Sequence, residues 1–253
     1  ERKQQTIALA AADIKVAQPE DLELARKQAM ALERTSETQK QAIVSAMSKR
    51  LTIVQGPPGT GKTHTSVRIL TSWVRTMGYR PLLATSECNV AVDNIAEGLV
   101  ANGIKVVRIG HTQKVSAKLE QAILRNLVAE GRQLQKLEGD EDYEEMPQEP
   151  GEEPSWKSEE WKEWRRRKDA MLRRRVWDRK QESMMRAKIL EDADVICATT
   201  IASGGGQMAN FNFHGILIDE VAQATETSCI VPIVCRGAKQ LVLCGDHCQL
   251  PPS

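Results

Sequence analysis

The sequence predicts an α/β protein in which helices cover a parallel β-sheet. The first observation is the apolar, β-branched run Leu51–Val54, which ends at Gly56 and lacks polar alternation, as strands buried on both faces do. The second is that such runs alternate along the chain with segments whose apolar residues recur at helical spacing. The alternation predicts strands at 51–54, 81–85, 105–109, 195–197, 215–218 and 240–244, and helices at 62–77 and 90–100.

Composition limits the classes of protein that this chain represents. It has 253 residues, of which 41% are hydrophobic, enough for one large domain or one domain with an appendage. No stretch approaches the ~20 apolar residues that a membrane-spanning helix needs, which excludes a membrane-spanning protein. The net charge of +1 provides no global field that would attract a polyanion. The six cysteines form no C-x-x-C pair, which favours reduced thiols and an intracellular protein of the cytoplasm or nucleus over a zinc site.

Two helices are expected before the first strand. Residues 20–34 follow Pro19, which suits the start of a helix, and their apolar residues recur at helical spacing. Thr35 or Ser36 suits the N-cap of the second helix. The sequence therefore predicts an N-terminal helical segment at 1–34 and a sheet domain formed by residues 35–110 and 194–253.

An insertion interrupts the alternation at residues 111–193. Its first part carries apolar residues spaced by four from Val115 to Leu127, which predicts one helix with a single apolar stripe. Residues 138–160 are acidic and broken by prolines, a composition typical of a disordered linker. A long polar helix is expected from 161 to 190. The insertion therefore predicts an antiparallel helical hairpin, the stalk, with an acidic linker at its tip.

A glycine-rich sequence follows the first predicted strand and opens the next helix. Residues Gly56–Thr63 read Gly-Pro-Pro-Gly-Thr-Gly-Lys-Thr and fit the pattern G-x-x-x-x-G-K-S/T in the context it requires. The glycines let consecutive backbone N–H groups bind phosphate oxygens at the positive end of the helix. Lys62 is expected to reach the β- and γ-phosphates, and the Thr63 hydroxyl to bind Mg²⁺. This loop predicts a nucleoside triphosphate site.

An acidic pair provides the second metal anchor and the base that hydrolysis requires. Asp219 and Glu220 come directly after the hydrophobic run Gly215–Ile218. Asp219 is expected to hold the Mg²⁺ shell, and Glu220 to orient and deprotonate the attacking water. An acidic pair after a strand is also common at a solvated strand end, so the combination with the loop carries this prediction.

Three motifs together resemble motifs I, II and III of the superfamily 1B helicases. These are Gly56–Thr63, the sequence Asp-Glu-Val-Ala-Gln at 219–223, and Gly-Asp-His-Cys-Gln-Leu-Pro-Pro at 245–252. The resemblance covers 35–109 and 194–252, with the motifs in the family's order. It implies a RecA-like P-loop lobe that uses ATP and Mg²⁺ to move along single-stranded RNA or DNA.

The resemblance also assigns roles around the nucleotide. Gln39 is similar to the glutamine that contacts the adenine, with Gln41 as a nearby competitor and an exposed helix glutamine as the alternative. Gln223 and Gln249 resemble the glutamines that connect the γ-phosphate to nucleic-acid binding, with Gln249 also expected to take part in catalysis. The remaining nucleotide-binding residues that it implies are Gly56, Pro57, Pro58, Gly59, Thr60, Gly61, Lys62, Thr63, Thr65 and Asp219.

Nucleic-acid contacts follow from the resemblance at two further places. Asn89 lies in a sequence similar to motif Ia, although Glu87-Cys88 stand where the family has Pro-Ser, and a carboxylate beside a phosphate path is unfavourable. Thr199 and Thr200 resemble the threonines that donate to phosphates in motif Ic; a hydroxyl pair capping a strand end is the alternative. Such contacts position the nucleic-acid backbone without discriminating between bases.

The stalk has two interpretations. Its basic clusters, 165–168 and 173–175, stand near Trp156, Trp161, Trp164 and Trp177, a combination that suits binding and stacking of a nucleic acid. Alternatively, the tryptophans pack the two stalk helices together, and the arginines are solvated or pair with the acidic linker. The linker is then expected to shield the basic helix.

The resemblance implies further parts of the motor. A second RecA-like lobe with an arginine finger is expected beyond Ser253, and such a finger contributes about 10³–10⁵ in rate. We therefore expect residues 1–253 alone to bind Mg·ATP weakly, to hydrolyse it slowly and to unwind no duplex. Two rivals stay open: an ATPase that remodels protein complexes without unwinding, and a noncatalytic RNA- or DNA-binding scaffold. Intact Lys62 and Glu220 argue against the scaffold.

Overall fold

The computed structural model describes residues 19–110, 116–137 and 159–249. The strands in these ranges are β1 (Leu51–Gln55), β2 (Leu82–Ser86), β3 (Val106–Arg108), β4 (Val195–Thr199), β5 (Gly215–Asp219) and β6 (Gln240–Gly245). The helices are α1 (Pro19–Met30), α2 (Glu37–Ser48), α3 (Lys62–Arg75), α4 (Asn89–Ala101), α5 (Ala117–Glu120), α6 (Leu124–Leu137), α7 (Glu159–Glu191), α8 (Thr200–Ser203) and α9 (Glu226–Cys235).

The six strands form one parallel sheet in the order β1-β6-β5-β2-β4-β3. Every residue of β2, β3 and β5 is buried, as in β-sheets that carry helices on both faces. The predicted α/β fold is therefore confirmed. The carboxyl ends of all strands meet at one edge of the sheet, which is where ligands bind in open parallel sheets.

Strand β1 is more exposed than the sequence predicts. Leu51 is 50% exposed and Ile53 is 69% exposed. The reason is position: β1 lies at one edge of the sheet and, among the described strands, pairs only with β6. The prediction of a strand buried on both faces is therefore wrong for β1.

Trp73 fixes helix α3 against the sheet. Its side chain is fully buried, and its indole N–H donates to the carbonyl of Ala46 in α2 at 3.2 Å. A Cβ atom at Gly215, the first residue of β5, would lie 2.6 Å from the Trp73 ring, so only glycine permits this approach. The contact holds α3, and with it the preceding phosphate loop, against the strand that ends at Asp219.

The first two helices agree with the sequence prediction in position. Helix α1 ends at Met30, four residues before the predicted end, and Arg34 then takes a left-handed φ of 55°. Ser36 is the N-cap of α2, and it forms a capping box with Gln39: the serine hydroxyl accepts from the Gln39 N–H, and the Gln39 carbonyl oxygen Oε1 accepts from the Ser36 N–H. Of the two candidate N-caps, the structure uses Ser36.

The predicted single helix from Val115 to Leu127 is wrong. Among its described residues, α5 ends at Glu120 and α6 begins at Leu124, with a break between them. The break allows Ile123 to form a parallel bridge with Arg108, while the Arg108 N–H donates to the Ala122 carbonyl at 2.8 Å. Of the apolar residues spaced by four, Ile123 therefore extends the edge of the sheet at β3, whereas Leu119 lies in α5 and Leu127 in α6.

Residues Leu127–Ile189 form a compact unit of their own, narrower than the predicted insertion. The boundary moves because Leu119, Ala122 and Ile123 are buried in the sheet unit. Inside the smaller unit, a Cβ at Gly131 of α6 would lie 2.8 Å from the sulfur of Met185 in α7. An ion pair at 3.3 Å also joins Arg132 to Glu182. The predicted long polar helix is confirmed as α7.

The described tryptophans of the stalk lie on α7. The rings of Trp161 and Trp164 meet edge to face with centroids 5.3 Å apart, and Lys168 lies 4.3 Å from the Trp164 centroid. Trp177 is 55% exposed, so it does not serve to pack two helices together. Trp156 and residues 138–158 of the predicted acidic linker lie outside the described residues, whereas Glu159 and Glu160 begin α7, so the predicted linker extends too far at this end. Nucleic-acid binding by the stalk stays a prediction.

Candidate nucleotide-binding site

The phosphate loop connects β1 to α3, and its glycines are required by its geometry. Gly59 and Gly61 both have a φ of +78°, a left-handed conformation that favours glycine. A Cβ atom at Gly56 would lie 2.8 Å from the Thr60 hydroxyl, which donates to the Pro57 carbonyl at 2.7 Å. The loop is therefore held in one shape by turns that non-glycine residues do not readily adopt.

Lys62 lies at the base of this loop. Its ammonium group donates to the carbonyl oxygens of Gly56 and Pro57, at 2.9 and 3.5 Å, and the residue is only 8% exposed. A buried ammonium requires such acceptors because an unpaired charge is costly to bury. Lys62 is thereby positioned inside the loop, as the sequence predicts, where it can also meet phosphate oxygens.

Thr63 and Asp219 lie close enough to share a metal ion. The Thr63 hydroxyl donates to Asp219 Oδ2 at 3.4 Å. Burial raises the pKa of the Asp219 carboxyl, and Cys244, whose own thiol pKa is raised to about 12 by burial, lies beside it as a neutral hydrogen-bond partner. A hydroxyl and a carboxylate are hard oxygen ligands of the kind that Mg²⁺ prefers. The two predicted metal residues therefore fit magnesium.

Glu220 has an unusual backbone and an unused acceptor. Its φ of 51° is left-handed, which is rare for a residue other than glycine, asparagine or aspartate. Its Oε2 atom is buried without a hydrogen-bond partner among the described residues. Strain of this kind concentrates at functional sites, where surrounding structure holds it in place. Glu220 therefore offers a free carboxylate oxygen one residue from the candidate metal ligand.

A cavity of about 370 Å³ brings seven of the predicted residues together. Its lining includes Lys62, Thr63, Glu220 and Gln249, together with Pro58, Gly59, Gly61 and His64. The Gln249 amide donates to Asp246 Oδ2 at 3.2 Å, which fixes its orientation. A lysine, a hydroxyl, a free carboxylate and an oriented amide in one cavity suit the phosphates of a nucleoside triphosphate.

A second cavity, of about 450 Å³, is lined by both candidate glutamines. Both polar atoms of the Gln39 side chain form hydrogen bonds. Its Oε1 belongs to the capping box, and its Nε2 donates to the Thr60 carbonyl at 2.9 Å. A Cβ at Gly61 would lie 2.8 Å from that amide. Gln39 therefore contacts the phosphate loop directly, and adenine contact by Gln39 or Gln41 stays a prediction.

Of two further predicted nucleotide-binding residues, Thr65 contacts the phosphate loop, whereas Gln223 lines neither cavity. Thr65 is 2% exposed, and its hydroxyl donates to the Gly61 carbonyl at 3.0 Å, so this group supports the loop from behind. Gln223 ends the 3-10 turn Val221–Gln223 that follows Glu220, and it is absent from the described residues that line either cavity. Its role in γ-phosphate sensing stays a prediction.

Sequence reasoning missed a direct contact between the residue that precedes the first motif and the third motif. Gln55, at the end of β1, has its Nε2 2.6 Å from Nδ1 of His247 in the loop after β6. In the same loop, Asp246, His247 and Cys248 each place one possible metal-ligand atom within 4.8 Å of the other two. A polar residue at the end of β1 was the available signal, because β1 and β6 are neighbours in the sheet.

The predicted nucleic-acid residues follow neighbouring strands at the carboxyl edge of the sheet. Asn89 begins α4, with its Oδ1 accepting from Arg108 at 2.9 Å, so its position is fixed. The Thr199 hydroxyl caps α8 by accepting from the Ala202 N–H. Thr200 is 0% exposed and donates to Glu87 at 2.7 Å, so its hydroxyl is not free to meet a phosphate in this structure.

A buried ion pair behind Asn89 was also missed by the sequence reasoning. Arg108 Nε lies 2.7 Å from Asp93 Oδ1, and both side chains are almost fully buried. We expect Asp93→Ala to lower the free energy of unfolding by about 3–5 kcal/mol, because it leaves the guanidinium buried without its counter-charge. Urea denaturation measures this loss.

Asp192→Ala is the control, because its ion pair with Lys105 is exposed and its removal should change the free energy of unfolding little. If both variants lowered the free energy of unfolding by the same amount, the prediction would be contradicted.

The sheet, the glycine loop and the polar cavity define a P-loop nucleotide-binding domain. The described helices include none that combines the length and the hydropathy that a bilayer-spanning segment needs. All six cysteines are free.

Comparison with known proteins identifies the family. A family model described as an AAA domain matches residues 34–253, so the chain belongs to this family, as a first RecA-like lobe of the superfamily 1B helicase type. The chain is 36% identical over 222 residues to the Regulator of nonsense transcripts 1 homolog of Arabidopsis thaliana and 37% identical over 213 residues to that of Drosophila melanogaster. It is 33% identical over 251 residues to an uncharacterized ATP-dependent helicase of Methanocaldococcus jannaschii.

The matches cover most of this chain and a small part of each relative. They include 85% of the chain for the plant protein, 83% for the fly protein and 86% for the archaeal protein. The chain spans 16% of the plant and fly proteins and 37% of the archaeal protein. The comparison therefore concerns one lobe of larger proteins.

Proposed function

We propose that this lobe binds and hydrolyses Mg·ATP as part of a motor that moves along single-stranded RNA or DNA. The observation that carries the proposal is the cavity in which Lys62, Thr63, Glu220 and Gln249 converge. Three relatives, from Methanocaldococcus jannaschii, Schizosaccharomyces pombe and Saccharomyces cerevisiae, are named ATP-dependent helicases, which supports the same activity here. An intracellular location stays a prediction.

Each side chain of the cavity has a distinct part in hydrolysis. The Lys62 ammonium, held between two loop carbonyls, stabilises negative charge on the phosphate oxygens. The free Oε2 of Glu220 accepts a proton from the attacking water. Thr63 and Asp219 are the residues that would hold magnesium, which neutralises phosphate charge when bound. The neutral amide of Gln249 can donate to the γ-phosphate and respond to its loss without a change in charge.

Nucleic acid is proposed to lie along the same carboxyl edge of the sheet. Strands β5, β2 and β4 are neighbours there, so Asp219, Asn89 and Thr199 follow adjacent strand ends. A hydrolysis site and a strand site on adjoining loops can influence one another through small shifts of those loops. This arrangement supports translocation over a passive scaffold. A second lobe of the full-length chain is proposed as the partner that completes the ATP site.

Turnover by the full-length protein tests the proposal. Phosphate release is measured with and without a single-stranded oligonucleotide, and we expect the strand to stimulate turnover, because the two sites lie on adjoining loops of the sheet. Strand binding without turnover would favour the scaffold. Turnover at the same rate with and without nucleic acid would favour the ATPase that remodels protein complexes.

The isolated lobe provides a further test. We expect residues 1–253 to hydrolyse ATP about 10³-fold more slowly than the full-length protein, because no arginine from a second lobe stabilises the transition state. A strand-displacement assay on a duplex with a single-stranded tail should show no unwinding. Robust unwinding by the isolated lobe would contradict the proposal that a second lobe completes the ATP site.

A further inference from the structure

One carboxylate joins three neighbouring segments at the carboxyl edge of the sheet. Glu87 follows β2, and its Oε2 atom accepts from the Thr200 hydroxyl at 2.7 Å and from the Ser228 hydroxyl at 2.8 Å. Thr200 begins α8 after β4, and Ser228 lies in the first turn of α9. A single oxygen of Glu87 thus receives two hydrogen bonds from elements that come from distant parts of the chain.

The two hydroxyl groups form a binding position for an anionic oxygen. Thr200 is 0% exposed and Ser228 is 2% exposed, so their hydroxyls are shielded from water on all other sides. Ser228 also lies at the positive end of the ten-residue helix α9, which favours negative charge. Hydroxyl donors to a charged oxygen are stronger than donors to a neutral one. The position therefore suits a carboxylate or a phosphate oxygen equally well.

Glu87 occupies this position without a cation to balance its charge. Among the ion pairs of the described ranges, none includes Glu87. The residue is half-buried, whereas Thr200 and Ser228 are buried. A carboxylate without a counter-charge is an occupant that a phosphate oxygen can replace, because both are anionic acceptors of the same hydroxyl donors.

We propose that Thr200 and Ser228 form a subsite for a phosphodiester oxygen of the bound strand, and that Glu87 competes for it from within the protein. This inference rests on the proposed nucleic-acid binding. When a strand binds, its phosphate oxygen replaces the Glu87 carboxylate and accepts from the same two hydroxyls. The side chain thereby weakens strand binding.

Removal of the carboxylate tests the proposal. Glu87→Ala removes the acceptor of the Thr200 hydroxyl and leaves the Ser228 hydroxyl with the Thr225 carbonyl, at 2.9 Å, as its remaining acceptor. We expect this variant to lower the Kd for a fluorescein-labelled oligouridylate by roughly five- to tenfold, the value of about one typical net hydrogen bond. Fluorescence anisotropy on the full-length protein measures the Kd. Glu87→Gln keeps an oxygen that accepts from both hydroxyls, so the gain with Gln should be clearly smaller than with Ala.

Three comparisons distinguish the subsite from charge repulsion and from a purely structural tie. In the Thr200→Val and Ser228→Ala double background, Glu87→Ala should bring no gain, because the donors are gone. A gain that persists there, or that is equal for Gln and Ala, would show charge repulsion alone and overturn the subsite. A weaker affinity together with a lower melting temperature in Glu87→Ala would show that Glu87 only holds the fold together, and would also overturn it. Glu23→Ala, an exposed carboxylate on α1, is the charge control and should leave the Kd unchanged.

The wild-type measurement separates this inference from the proposed function. A wild-type protein that binds neither the oligouridylate nor an oligothymidylate would contradict the proposed function, and with it the subsite. Wild-type binding that is unchanged in Glu87→Ala would overturn the subsite while leaving the proposed function in place.

Discussion

We expect Lys62→Ala to reduce ATP turnover by the full-length protein by roughly 10²–10³-fold, the loss seen when one preorganised donor to a developing negative charge is removed. The ammonium is nearly buried and is held in position by two carbonyls of the loop. Affinity for Mg·ATP should fall as well, because the same group meets the phosphates before and during the reaction. Steady-state phosphate release and calorimetric titration measure the two effects.

A matched variant shows whether the loss belongs to this one lysine. Lys27 lies exposed on α1, and Lys27→Ala removes the same charge without touching the loop. The control should keep the wild-type rate. Thermal melting of both variants excludes unfolding as the cause. If Lys62→Ala kept more than about a tenth of the wild-type rate, Lys62 would not be the principal phosphate ligand.

Glu220→Gln should separate binding from chemistry. The amide preserves the size of the side chain and cannot accept a proton, so we expect turnover to fall by about 10²–10⁴-fold, the usual contribution of a general base. Because Glu220 contributes no positive charge to the phosphates, the Kd for Mg·ATP should stay close to the wild-type value or become slightly lower. This pattern differs from that of Lys62→Ala, which weakens both.

Glu226 provides the control for Glu220→Gln, because it lies shortly after the 3-10 turn that follows Glu220. Glu226 is exposed in the first turn of α9, and Glu226→Gln removes one carboxylate charge from the same region. Its turnover should match the wild-type rate. A similar loss in both variants would indicate a general electrostatic effect, and full activity of Glu220→Gln would mean that another group takes the proton.

The predicted fold and the phosphate loop were accessible from sequence because local signals determined them. A run such as β2, buried at every position, needs no partner to be recognised as a strand, and Gly59 and Gly61 stand where the loop turns require a left-handed φ. The candidate metal ligands Thr63 and Asp219 were predicted from their motifs, and the structure places the two residues within hydrogen-bond distance.

The missed features all depend on contacts between distant parts of the chain. The edge position of β1 follows from strand order, which an apolar run does not encode. The break before Leu124 follows from the bridge between Ile123 and Arg108. The hydrogen bonds of Glu87 require β2, α8 and α9 to be in place. Sequence spacing shows which residue types are present, whereas these roles are set by packing.

Calorimetric titration of the purified protein with ATP, in the presence and absence of magnesium, tests the central claim most directly. The geometry of Lys62, Thr63 and Asp219 predicts saturable binding of one ATP that requires magnesium and that Thr63→Ala weakens. The absence of any magnesium-dependent heat at millimolar ATP would contradict the assignment of this cavity as a nucleotide site.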